Sequence, residues 1–236
     1  METGGELRLP NLVQTDGRTL FEIRVPSYAL PKLETASKTL FDVGASNTLS
    51  TPLLTTMSGR GSGVTLADNA VFDAPTLVSM SSSTIALGNN ALFDAPLLTS
   101  IGASGGGVTL GTAALLDVPE LLSIDGANLS LGAGSTLNAP KLQTLSNTTY
   151  TREPNTTFMH GPVSDITGSE LHVRNGATLL FPNVASYTNT LNDYRAHLTL
   201  LSADGVGSLL NLSGVQSFSS VHPTATKAAA TAGVTA

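Results

Sequence analysis

One phrase recurs along most of this chain. It is an apolar triplet, nine residues to a proline, then Leu, a Ser or Thr, and a closing apolar residue. Three copies show it: VTLADNAVFDAPTLVSM (64–80), IALGNNALFDAPLLTSI (85–101) and VTLGTAALLDVPELLSI (108–124). A period this short cannot bury a core of its own, so each copy is one rung of a stacked array.

The proline slot is held by Pro10, Pro31, Pro52, Pro75, Pro96, Pro119, Pro140 and Pro182, at spacings of 21, 21, 23, 21, 23, 21 and 42 residues. The last step is a double one, so a hidden rung centres on Gly161, in FMHGPVSDI. A degenerate copy, LNLSGVQSF, puts Ser213 in the proline slot. About ten rungs result. The triplet-to-proline distance holds at nine, as from Leu66 to Pro75 or Leu110 to Pro119, and the slack lies after the closing apolar residue. Two of those corners read SGRGSG and GASGGG. Glycine there reaches positive φ, and exposed corners accept insertions.

No stretch repeats at i, i+3, i+4 and i+7 for the length of an amphipathic helix. Val, Thr, Ile, Leu and Ser dominate, and a proline returns in every rung. The expectation is an all-β fold: a parallel β-helix, or three-sided β-solenoid, of about ten coils of 21–23 residues. Stacked at strand spacing, ten coils give a rod of roughly 45–50 Å. The general chirality of parallel crossovers supplies the handedness. The competing architecture is a leucine-rich horseshoe, suggested by LPNL at 9–12, but no segment is free to form its helix. The repeat domain runs over 1–222, and 223–236 reads as a low-complexity tail.

Only 12% of residues are charged and the net charge is −6, so polarity rests on Ser, Thr and Asn. No basic patch or aromatic row stands out, and nucleic acid is not expected as a partner. Without cysteine there is no disulfide, thiolate metal site or Cys nucleophile. No apolar run is long enough to span a membrane. METGGELRLP has neither the basic start nor the apolar core of a signal peptide. The first phrase begins almost at once, and solenoids need capped ends. The chain therefore reads as part of a longer repeat array.

The phrases GxVTL, LFDAPLLTSI and DVPELLSI, with ATLLFPNVASYTN and LTLLSADGVGSLLNLSGVQSF, resemble the β-strand-repeat segments of very large bacterial surface proteins, such as those abundant in planctomycetes. LPNL and LPKLET are more weakly similar to receptor L-domain-like and fungal cell-wall solenoids. The resemblance covers roughly 7–220. It implies export, an extracellular or cell-surface setting, and a structural or adhesive role. It brings no catalytic residues.

Four features carry candidate chemistry. Asp73, Asp94 and Asp117 each stand two residues before a proline, and Asn138 continues the row. Neighbouring carboxylates at strand spacing repel, and a cation such as Ca²⁺ would relieve them. The plainer reading is that each Asp caps a turn. No GGxGxD signature of a calcium-binding roll is present. The second feature is a hydroxyl row at the fourth position after the proline slot, Thr35, Thr56, Ser79, Ser100, Ser123, Thr144, Ser186 and Ser217. It reads as structural, bonding within itself or to backbone. An ice-binding face would need a regular TxT array.

The third is the irregular rung TYTREPNTTFMHGPVSDI. It gathers Arg152, His160 and Asp165 in a nearly charge-free array; His160 and Asp165 are placed to pair, and Arg152 to hold an anionic sugar. The alternative is a distorted rung. The fourth is the insert around SYTNTLNDYRAHL, where Tyr187, Asn192, Asp193, Tyr194 and Arg195 suit sugar stacking or protein contact.

The expected role is a non-enzymatic structural or adhesive segment of an extracellular or cell-surface repeat protein, with a surface polysaccharide or another cell-surface protein as partner and no cofactor. The alternatives are a carbohydrate-binding module using the insert, or a carbohydrate-active β-helix of the polysaccharide lyase or hydrolase kind. The latter lines a sheet face with acids and bases from adjacent rungs, which are sparse here.

Overall fold

The structure, a computed structural model, describes residues 7–102, 107–190, 199–220 and 227–230. It is all-β, with no helix among the described residues. Every strand pair between coils is parallel, and three sheets form the sides of a β-solenoid. Sheet A runs from Gln14–Thr15 to Thr144–Ser146 and sheet C from Ser27–Ala29 to Thr157–His160, with seven strands each. Sheet B runs from Thr19–Ile23 to Lys227–Ala230 and has ten. The expected three-sided coil is therefore present. About seven turns are complete, and the coils beyond them keep sheet B while sheets A and C give way to two-stranded pairs.

Each side follows from its own piece of the repeat. The triplet is the sheet B strand, where Phe41, Val64, Ile85, Val108, Leu129 and Tyr150 fill one inward column in register. The residues before the proline are the sheet C strand. Its central side chain, Leu49, Phe72, Phe93, Leu116 or Leu137, is fully buried. The Ser/Thr–apolar–polar end of the phrase is the sheet A strand, burying Met57, Met80, Ile101 and Ile124. The Leu two places past each proline, Leu33, Leu54, Leu77, Leu98, Leu121 and Leu142, fills the corner between C and A with no exposed area. At about 25 cal/mol per Å², this continuous apolar column is the main stabilising term.

The constant nine-residue step has a backbone cause. Three residues past the triplet, at the corner between sheets B and C, the chain enters the left-handed region. Ser46, Asn69, Asn90, Ala113 and Asn155 hold that place with φ of 59°, 59°, 55°, 56° and 61°, and Gly134 holds it at 71°. Asn tolerates this conformation through local side-chain hydrogen bonding. A turn with a fixed left-handed residue cannot change length without shifting the next strand's inward side chain.

Candidate functional site

The acidic row lies on the outer face of sheet C. Asp73, Asp94 and Asp117 are partners in register, with Ser50 before them and Asn138 after. The expected turn capping is not what they do. Ser50 donates to Asp73 Oδ2 at 3.0 Å, and Asn138 Nδ2 donates to Asp117 Oδ1 at 2.6 Å. The row is thus a lateral ladder, closed by a donor at each end. Among the described residues Asp94, in the middle, has no such donor, and its pKa is raised by partial burial, then by Asp117 and Asp73. Among the described residues no group of three or more acids or histidines is placed to hold a metal ion.

The hydroxyl row behaves differently from its sequence reading. Thr35, Thr56, Ser79, Ser100, Ser123 and Thr144 stand in register on the outer face of sheet A. Among the described residues none of these six hydroxyls bonds within the chain. They point to solvent rather than holding a corner together.

The irregular rung is where the two shorter sheets stop. Past His160 the chain makes one isolated bridge, Thr144 to Asp165, where the earlier coils have a sheet A strand. His160 and Asp165 are not brought together. His160 Nδ1 lies 2.8 Å from the Gly161 carbonyl, and Asp165 Oδ1 accepts the Thr167 amide at 2.9 Å. The His160 ring instead meets Phe158 and Phe181 edge-on, at centroid distances of 5.2 and 4.9 Å. Where no ladder joins sheet C to the next coil, these rings make the contact.

Gly161 stands in the proline slot for a steric reason. A Cβ there would lie 2.8 Å from the carbonyl oxygens of both Pro140 and Leu142. Arg152 does not reach outward to an anion. Its strand position is the inward one, in register with Val173 of the next coil. Arg152 Nη1 donates to Thr156 Oγ1 at 2.6 Å, while among the described residues its Nε is buried without a partner, as is the hydroxyl of Tyr150. Burial pushes the Tyr150 pKa up, against the pull of nearby Arg152.

Tyr187 is a correction. It is fully buried, donates to the Ser169 carbonyl at 2.9 Å, and rests against Phe218 at 5.4 Å. It has no face to offer a sugar. Burial raises its pKa strongly, with Glu170 adding to the shift. The sequence held the signal: Tyr187 follows a residue of the hydroxyl row, the place of Met57 and Ile101. Asn192, Asp193, Tyr194 and Arg195 lie outside the described residues.

One constellation escaped the sequence reading. On sheet B, His172 is in register with Ser202, its Nδ1 is 2.8 Å from Ser202 Oγ, and its Nε2 is 3.9 Å from Glu170 Oε2. Burial holds the His172 pKa below its usual value; Glu170 opposes this and Arg174 adds to it. A serine, a histidine and a carboxylate suggest nucleophilic chemistry. Here Ser202 lies within sheet B, in register with His172 on one side and Ala229 on the other. The trio acts as a polar clasp between two coils. Its histidine flanks Leu171 of a triplet and was legible; its serine lies beyond the insert, where the spacing rule fails.

No family model, no curated protein and no solved structure matches this chain.

Proposed function

We propose that the chain is a non-enzymatic scaffold segment, structural or adhesive, of an extracellular or cell-surface repeat protein. The observation that carries this reading is the parallel stacking of the coils, continuous through sheet B, around one apolar column. Such an array spends its sequence on holding a rigid form and presents long outer rows of side chains. The polar clusters fit the same role: the acidic ladder, the His172 clasp and the Arg152 rung each bind one coil to another or close within a coil. No helix of the described residues is long and apolar enough to cross a membrane. An antibody raised against the folded rod tests the location. Labelling of intact, unpermeabilised source cells is the expected result, and labelling only after permeabilisation counts against it.

A further inference from the structure

The corner where sheet A passes into sheet B carries the strongest unassigned feature. Gly17, Arg18, Thr19, Leu20, Lys38, Leu40, Arg60 and Gly61 line an open groove of about 730 Å³. Arg18, Lys38 and Arg60 come from three successive coils, and all three are exposed. The chain has 11 Lys and Arg in total and a net charge of −6, so three cations in one groove are a local reversal of its sign. Two cations elsewhere are answered by carboxylates. Arg24 pairs with Asp42 and Glu22, and Lys141 with Glu120. Among the described residues Arg18, Lys38 and Arg60 have no ion pair or side-chain hydrogen bond.

The backbone holds the groove open. Gly17 and Gly61 have φ of 93° and 91°, and the space where a Cβ would stand is empty at both. Lys38 also has positive φ, at 51°, which projects its side chain from the same turn. Leu20 is 55% exposed on the groove wall. The lining therefore joins exposed cations to a small apolar surface, with no aromatic ring on which a nucleobase would stack.

We propose that this groove binds an acidic polysaccharide. The guanidinium groups of Arg18 and Arg60 and the Lys38 ammonium take its carboxylate or sulfate groups, and Leu20 and Leu40 take the C–H faces of its sugars. The proposal rests on the adhesive reading and names the class of surface it would engage. The rest of the acidic rod repels the same polymer, so contact is confined to this corner.

The test uses the full chain with four probes: polygalacturonate for carboxylates, heparin for sulfates, neutral dextran, and oligo(dT). Binding to either acidic glycan that weakens with added salt, with none to dextran, is the expected result. The Arg18→Gln, Lys38→Gln, Arg60→Gln variant should lose affinity about tenfold or more, while Lys38→Arg keeps it. The variant Lys32→Gln, Lys141→Gln, Arg174→Gln makes the same change of net charge away from the groove and should bind as the parent does. Absence of binding to both acidic glycans overturns the proposal. So does an equal loss in the second triple variant, or oligo(dT) binding as tight as the glycans at the same salt. Circular dichroism checks that each variant keeps the β fold, and the single Arg60→Gln change repeats the test with less perturbation. Because binding is read in solution, its failure is separate from a failure of surface labelling.

Discussion

At Ala113 the backbone takes φ of 56°, a region that costs a residue with a Cβ about 1–2 kcal/mol. Its counterparts in the two preceding coils are Asn69 and Asn90, which suit that conformation. Ala113→Gly should therefore stabilise the rod by about 0.5–1 kcal/mol, after the added chain entropy of glycine, and the midpoint of urea unfolding would show it. Asp94 carries a second prediction at this scale. Its folded pKa is raised, so the fold favours the protonated acid. The stability gained from that preference is complete below the unfolded value of about 3.9 and is lost as pH rises through the raised folded value. Asp94→Asn should thus raise Tm near neutral pH by about 1–2 °C, and the gain should disappear on acidification. A gain that persists unchanged at low pH would show that the charge of Asp94, disfavoured first by burial and then by its neighbours in the ladder, is not its source.

Among the elements, the regular coils were the most legible part. A triplet that fills a sheet B strand, and a Ser or Thr that opens a sheet A strand, follow from period-two alternation and a fixed proline distance. The outward or inward sense of single residues was harder. Arg152 was read as an outward anion holder by its charge, yet its register makes it inward. Tyr187 was read as a sugar platform by its neighbours in the insert, though its offset from Ser186 marks it as core. In both, residue chemistry was given more weight than position, and in a stacked array position decides burial. The basic groove was missed for the opposite reason. Its cations lie about twenty residues apart in the chain, and only stacking makes them neighbours. The irregular rung yields a test of the positional argument. Arg152→Leu restores the apolar residue that other coils place there and removes the buried, unpartnered Nε. Thr156 keeps its bond to the Glu153 carbonyl at 2.9 Å. The variant should be more stable by about 1 kcal/mol, measured by urea unfolding.

Over the whole molecule, the change near Gly161 divides the stack. Before it, each coil is tied to the next through three sheets. After it, the pairs Thr178–Leu180 with Leu209–Asn211 and Ser186–Asn189 with Ser217–Ser220 stand as separate two-stranded sheets. In a nearest-neighbour array, fewer ties at one junction lower cooperativity there. Native-state hydrogen exchange with rising denaturant should show Thr178–Leu180 opening at lower denaturant than Leu92–Asp94. Opening of both together at one midpoint would mean that the ring contacts of His160 couple the coils as strongly as a ladder does.

Sheet B alone crosses that junction without a break, passing from Thr149–Arg152 to Glu170–Arg174 and on to Thr199–Asp204. A full ladder on the sheet B side, isolated hydrogen bonds such as that from the Gly168 amide to the Thr188 carbonyl on the sheet A side, and ring contacts on the sheet C side make a joint with a strap along one edge. Bent toward the strap, the joint compresses strands already at bonding distance and resists. Bent away from it, sheets A and C part first, and the aromatic contacts yield while the strap holds. A rod built this way is stiff along most of its length and compliant in one direction at one place. Tension along the rod would be absorbed there before any complete coil is lost.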